Sequence, residues 1–219
     1  MTFGYLAGMT DSIEFVTAVL ILPQRQTVLV AKQAAEVDVL SGGRLRLGVG
    51  TGWNTIEYEG LGENFHDRGP RQEEQVELMR RLWSEDTLSF DGKWHRVTQA
   101  GLNPLPKKTI PVLFGGGVDA VIERAARIGD GWVPLMGPDD AAKKRIDLLN
   151  THLQANGRNP ANFGIQAQAR GDNPDRWSQH AEAWRDLGAT HIAIATMNAG
   201  FRSVDDHIEA IRRYKDVVG

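Results

Sequence analysis

Leu40-Ser-Gly-Gly-Arg-Leu-Arg-Leu-Gly-Val-Gly-Thr-Gly-Trp-Asn54 decides how this chain is read. A helical pattern stops at Gly42 and Gly43, because glycine tolerates the left-handed geometry that follows a helix. Arg44 to Gly50 then reads as a strand. Gly50, Thr51 and Gly52 mark where that strand passes into a loop. Parallel strands present ligand sites at this end, and missing side chains let a flat ring or a phosphate approach the backbone. A tight strand-to-loop turn would use the same glycines. A dinucleotide fingerprint would not: counted from Gly48 the third glycine position is Trp53, counted from Gly50 it is Thr55, and no acidic-ended strand follows about 20 residues later.

Working outward, Phe15 to Leu22 is a β-branched apolar run ended by Pro23, as expected for a strand covered on both faces. The helix over 27–40 has one apolar face at Val30, Ala34 and Val37, and another at Val28, Ala31, Ala35 and Val39. Two such faces predict packing against the sheet and against a second helix or subunit. Downstream, 51–70 reads as loop and 71–83 as a helix with Val76, Met79 and Trp83 inward. The stretch 87–106 is an excursion from the main repeat, with Asp91-Gly92 as a hairpin turn. Ile110 to Phe114 is a strand.

The beat is then regular: a helix over 119–128 with Val121, Ile122 and Ala125 inward; a strand over 131–135; a helix starting at Pro138, with Asp139 and Asp140 suiting its positive end. Ile146, Leu149 and Leu153 form that helix's core stripe. A strand over 163–169, a helix over 175–187 with Trp177, Ala181 and Trp184 on one face, and a strand over 190–196 follow. Ser203 and Asp206 cap the last helix, with Val204, Ile208 and Ile211 expected inward. Six strand–helix units imply a parallel sheet in a single α/β domain over 1–219. Such a sheet is either open or closed into a barrel of eight units and about 250 residues. Periodicity leaves both open.

Composition narrows the function classes. The 219 residues carry a formal charge of -3 and no cysteine. Without clustered Lys and Arg, nucleic acid is not expected as a partner. Disulfides, Cys-ligated zinc and thiol catalysis are excluded. No apolar run reaches the roughly 20 residues of a membrane span, and Met1 to Met9 is a poor signal peptide, so a cytoplasmic protein without membrane partners is expected.

The histidines His66, His95, His152, His180, His191 and His207 never form an H-E-x-x-H pair, so no metal site is expected. His66 reads as a solvated loop residue. Neither a G-x-S-x-G elbow nor a Walker A sequence occurs. Gly115-Gly116-Gly117 leads from a strand into a helix and suits an anion, although a plain turn is the other reading. Arg25 and Arg170 follow strand ends and could meet a phosphate, although a surface arginine is the commoner reading of each. Trp53, at a strand end, is the better pocket wall among the tryptophans, with Trp132 inside a strand.

Thr17-Ala-Val-Leu-Ile-Leu-Pro23, Ala31-Lys-Gln-Ala-Ala35, Leu40 to Asn54, Arg71-Gln-Glu-Glu74, Phe90-Asp-Gly-Lys93, Pro111-Val-Leu-Phe-Gly-Gly116 and Ala125-Ala-Arg-Ile-Gly-Asp-Gly-Trp132 come in an order that closely resembles the luciferase-like monooxygenase superfamily. The likeness runs from about residue 13 to 135. It is strongest to the branch using the deazaflavin F420, with FMN the nearest alternative. The resemblance implies a TIM-type (β/α)8 barrel, here incomplete, with the family's first two strands having no counterpart and Thr17 to Pro23 matching its third. It implies an oxidoreductase of a small organic substrate, by hydride exchange with F420 or monooxygenation with reduced FMN, commonly as a homodimer.

Carried over by position, Ala18 and Val19 match a bulge, often with a non-prolyl cis peptide, behind the cofactor ring. Gly50, Thr51, Gly52 and Asn54 match the ring- or ribityl-lining strand end, and Gly115, Gly116 and Gly117 the loop near the cofactor tail. The family's basic phosphate ligand has no match in Met136-Gly-Pro-Asp139, and no catalytic acid or base is assigned. Two other readings compete. One is a shortened, inactive barrel acting as a fragment or as a binding or dimerisation module. The other is a phosphate-binding lyase or isomerase barrel, which would need a paired acid and base at strand ends.

Overall fold

The computed structural model describes all 219 residues, which form two compact units, Met1–Phe114 and Gly115–Gly219. The first unit opens with a short helix, α1 (Thr2–Ala7). The expected strand over 15–22 is interrupted: β1 (Phe15–Val16) and β2 (Leu20–Ile21) flank a break, and a 3-10 turn follows at Leu22–Gln24. Next come α2 (Thr27–Ser41) and β3 (Leu45–Gly50), which pairs in parallel with both β1 and β2. Phe15 faces Leu45, whereas Leu20 faces Val49. The first strand therefore carries one residue more than the stretch of β3 opposite, which is the definition of a bulge. The Ala18–Val19 peptide within it is cis.

The region read as loop over 51–70 contains a helix, α3 (Thr55–Gly60), and the next helix, α4 (Arg68–Ser84), starts three residues early. Asn54 Oδ1 accepts from Ile56 N at 3.1 Å and caps α3. The cap followed by Glu57 was a readable start signal. The excursion is an antiparallel hairpin, β4 (Leu88–Asp91) with β5 (Arg96–Ala100). Strand β6 (Val112–Gly115) pairs with β3 and closes the unit. The core side of α2 is Val30, Ala31, Ala34, Ala35 and Asp38, while Val28, Leu29, Val39 and Leu40 are exposed.

Polar side chains fasten this unit where family-like motifs lie far apart in sequence. Arg44 donates to the carbonyls of Ala7, Thr10, Ile13 and Ser41, tying the chain before β1 to the end of α2. Glu74 of α4 accepts from the backbone N–H groups of Lys93, Trp94 and His95, and from His95 Nδ1 at 2.8 Å. His95 Nε2 meets Thr27 Oγ1 at 2.7 Å, at the start of α2. Burial alone would raise the Glu74 carboxyl, but the bonds from Trp94, His95 and Lys93 outweigh it and hold it below the ordinary value of 4.5. A carboxyl lowered on folding stabilises fully above its unfolded value, and the contribution fades as pH falls through the folded one.

Glu74→Gln keeps the shape but turns an amide N–H₂ toward N–H donors. We expect a loss of about 2–3 kcal/mol, from hydrogen bonds to a charged acceptor, read as a lower urea midpoint at pH 7. As the pH falls through the lowered Glu74 value, beneath 4.5, the variant and parent should converge.

In the second unit, α5 (Asp119–Ile128), β7 (Gly131–Val133), α6 (Asp140–Ala155), β8 (Gly164–Arg170), α7 (Trp177–Asp186), β9 (His191–Ala195) and α8 (Val204–Val218) alternate. β7, β8 and β9 are parallel neighbours. Two helix starts differ from the sequence reading. Asp139, not Pro138, opens α6: its Oδ1 accepts from Ala141 N and Ala142 N, and a capping carboxylate outcompetes proline for that position. The helix expected from 175 begins as a 3-10 turn at Pro174–Arg176. Ser203 and Asp206 form the expected capping box.

The inward face of α8 is corrected. Val204, Ile208 and Ile211 are exposed, and Ala210 and Tyr214 are buried. The helix carries two possible stripes. The small Ala210 lets it approach Ala169 and Trp177, with Tyr214 edge-on to Trp177 at 5.3 Å, so the aromatic pair sets the rotation.

Candidate active site

The glycine-marked strand end of the first unit is built by close backbone contact. Thr17 Oγ1 donates to Gly48 O at 2.7 Å. A Cβ on Gly48 would lie 1.8 Å from Thr17 O. No other residue fits there, and the contact seats the 17–19 bulge directly on β3. Ala18 is exposed and Val19, Leu20 and Ile21 are half-buried, forming an accessible apolar strip along the bulge.

Beyond β3, Gly50 is buried opposite Ile21, while Thr51 and Gly52 are partly accessible. Gly52 has φ +67°, and a Cβ on it would come within 2.9 Å of Ile21 Cγ2. Glycine is thus required twice over, by handedness and by space. Tyr58, fully buried and edge-on to Phe65, donates its hydroxyl to Thr51 O at 2.6 Å. Burial pushes the Tyr58 phenol up to about 12, only partly opposed by Arg68 and Arg71, so it stays a donor throughout the ordinary pH range. Gln75 Nε2 holds the chain after β2 through Leu22 O, Arg25 O and Thr27 Oγ1. The strip and the turn are therefore fixed from behind by α3 and α4.

Among the residues expected here, Ala18, Val19, Gly50, Thr51 and Gly52 come together beside one strand end. Asn54 sits next to them, but its amide is engaged: Oδ1 caps α3 and Nδ2 donates to Glu57 Oε1 at 3.2 Å. Trp53 is 85% exposed and forms no wall. Tyr58 and Gln75 were missed in the sequence, because a single polar residue on an otherwise ordinary helix face carries no pattern.

In the second unit, Gly115, Gly116 and Gly117 precede α5. Gly116 N donates to Val133 O at 3.3 Å, and Trp132 Nε1, from a fully buried ring, donates to Gly116 O at 2.7 Å. A Cβ on Gly117 would strike Met136 Cε at 2.6 Å. The N-cap of α5, Val118, offers no side-chain acceptor, so its first N–H groups suit an anion. The first-turn Asp119 is paired with Arg145, which removes its repulsion. No group of three or more His, Cys, Asp or Glu could hold a metal ion.

Parallel strands with glycine-built ends define an α/β protein of the kind that binds a ligand at its strand tips. Its family follows from comparison. The luciferase-like monooxygenase family model matches residues 1–216, and the chain belongs to that family. The match continues well past residue 135, where the motifs stop.

An uncharacterized protein of Mycobacterium tuberculosis is 39% identical over 141 residues, covering 64% of this chain and 49% of that protein. The FMNH(2)-dependent dimethylsulfone monooxygenase of Pseudomonas fluorescens is 30% identical over 74% of this chain and 45% of its own length. The F420-dependent glucose-6-phosphate dehydrogenase of Nocardia farcinica is 37% identical over 60% of this chain and 41% of its own. The chain spans about half the length of these relatives.

Among solved structures, the F420-dependent tetrahydromethanopterin reductase of Methanopyrus kandleri has a TM-score of 0.83 at 13% identity, covering 99% of this chain and 85% of that one. The monooxygenase RslO1 of Streptomyces bottropensis gives 0.81 at 18%, covering 99% and 80%. These likenesses establish the fold class: α/β, of the luciferase-like barrel type, incomplete, with six parallel strands. No helix is long and apolar enough to cross a membrane.

Proposed function

We propose that the chain is an oxidoreductase that holds a planar redox cofactor, F420 or reduced FMN, against the 17–21 bulge and the 50–52 turn, and acts on a small organic substrate. The observation that carries this is the cradle itself: partly accessible apolar residues, Ala18 to Ile21, beside the partly accessible turn Thr51-Gly52, with Ile21 packed close against the Gly52 backbone. Apolar atoms suit one face of a ring, and exposed N–H and C=O groups suit its polar edge. Relatives using F420 and FMNH(2) favour this class of cofactor and leave the choice between them open.

The cofactor would supply the hydride or oxygen chemistry, as cofactors generally do. The chain's own residues bind and orient. Thr17 and Gly48 lock the bulge, Tyr58 fixes Thr51, and Gln75 steadies 22–27. Within the second unit, the glycine loop 115–117 and the uncapped start of α5 suit an anionic group.

Mixing the protein with F420 and, separately, FMN should quench cofactor fluorescence at micromolar concentrations. Unchanged fluorescence with both at tens of micromolar would overturn the reading. We also infer a homodimer through the exposed Val28, Leu29, Val39 and Leu40 of α2. Light scattering should return twice the 24.2 kDa chain mass, and a monomer at all concentrations would remove that assignment.

A further inference from the structure

Strand β8 reads Gln166-Ala-Gln-Ala-Arg170, a strict alternation of polar and small residues inside a parallel sheet, where apolar runs are the norm. The alanine side packs on the helices: Ala169 lies in the cluster with Trp177, Ala210 and Tyr214, joined by Ile192 and Ile194 of β9. Residues two apart share a face, so Gln166, Gln168 and Arg170 line the opposite one. Their register partners on β9 are His191, Ala193 and Ala195, which leave room toward the strand tips. Gln166 is 4% exposed, and its Oε1 has no hydrogen-bond partner.

At the carboxyl ends of β7, β8 and β9 this polar face opens into a cavity of about 310 Å³, bounded by Leu135, Met136, Gln168, Arg170, His180 and Ala195. It contains no carboxylate. Asp172, outside it, accepts from both Nε and Nη2 of Arg170 in an exposed pair. Trp177 Nε1 donates to Arg170 O at 2.9 Å, and Gly171 N donates to Ala195 O at 2.8 Å. The guanidinium thus hangs from a backbone fixed on both sides. A second hollow shares Arg170 and His180 with it and is lined also by Arg176 and by the Asp172 carboxylate.

We propose that this cavity binds the oxyanion of the substrate, a carboxylate or phosphate ester, with Arg170 and His180 on the charged group and Gln168 on an adjacent hydroxyl or carbonyl. A fork of N–H donors matches such planar or tetrahedral oxyanions; an entering oxyanion would take the place of the exposed Asp172 carboxylate on it, and Leu135 and Met136 give the remaining carbon skeleton an apolar wall. Naming the anion as the substrate's rests on the proposed oxidoreductase function; the binding itself does not.

The test is titration of the whole chain with inorganic phosphate and with succinate, followed by calorimetry and by amide NMR shifts. We expect one saturable site for at least one of them, with shifts at 134–137 and 168–171. Whichever binds more tightly names the anion class. Arg170→Gln should weaken it at least about tenfold, the scale of losing a charge-assisted contact, while Arg212→Gln on the exposed side of α8 should leave it unchanged. Absence of saturable binding to either anion, or binding that survives Arg170→Gln in a folded protein, would overturn the proposal. So would displacement of the anion by F420 or FMN, which would assign the site to the cofactor's tail. Failure of both cofactors to bind, with Arg170-dependent anion binding intact, would sink the cofactor reading and leave the anion site standing.

Discussion

A Gly48→Ala protein should fail to accumulate in folded form, or should unfold at a much lower urea concentration than the parent. The added Cβ would lie 1.8 Å from Thr17 O and 3.0 Å from its carbonyl carbon. Both are backbone atoms, so no side-chain rotation relieves the overlap. Either β3 or the bulge must move by more than 1 Å, roughly, in a core packed to crystal-like density. Overpacking and backbone displacement of this kind cost about 3 kcal/mol or more, a large share of the stability of an ordinary domain.

Thr17→Val is the matched control. It removes only the bond from Thr17 Oγ1 to Gly48 O and should lose about 1 kcal/mol. Circular dichroism with urea unfolding separates the two. Gly48→Ala as stable as Thr17→Val would mean that the bulge does not sit on β3 as described.

Gly52→Val should abolish cofactor binding while the protein stays folded. At φ +67° a β-branched residue is strained by about 1–3 kcal/mol, and its Cβ would fall 2.9 Å from Ile21 Cγ2. That methyl sits on the branched Cβ of Ile21, whose χ1 has little freedom, so Ile21 and the turn must shift together. The shift deforms the turn and the apolar residues beside it, against which the ring is proposed to lie. We expect at least about a hundredfold weaker binding, equivalent to losing two good contacts. The readout is fluorescence titration with F420 and FMN, with circular dichroism confirming the fold.

Much of this was readable from the residues alone, for reasons that differ by element. The helix over 119–128 was placed to the residue, because its apolar spacing is clean and Gly129 ends it. The bulge at 18–19 came through the family resemblance; an apolar run such as Phe15 to Leu22 carries no local sign of an extra residue, since the register offset lies in its pairing with β3. The rotation of α8 was misread because Ile208 and Ile211 outweigh Ala210 in hydrophobicity, yet closeness of approach to Trp177 favoured the smaller residue. Trp53 was taken for a wall by its position, but nothing packs on it. The polar face of β8 went unremarked because alternation over five residues also fits a half-buried strand, and only the buried Gln166 shows which way the pattern points.

The proposed bed of the planar redox cofactor is Ala18 to Ile21 together with Thr51-Gly52. Amide NMR shifts of the parent protein, followed while F420 or FMN is added, test it most directly, because an aromatic ring displaces the resonances of the amides it covers. The largest changes should fall at 18–21 and 51–53. Saturable binding that leaves those amides unmoved and shifts others instead would contradict it.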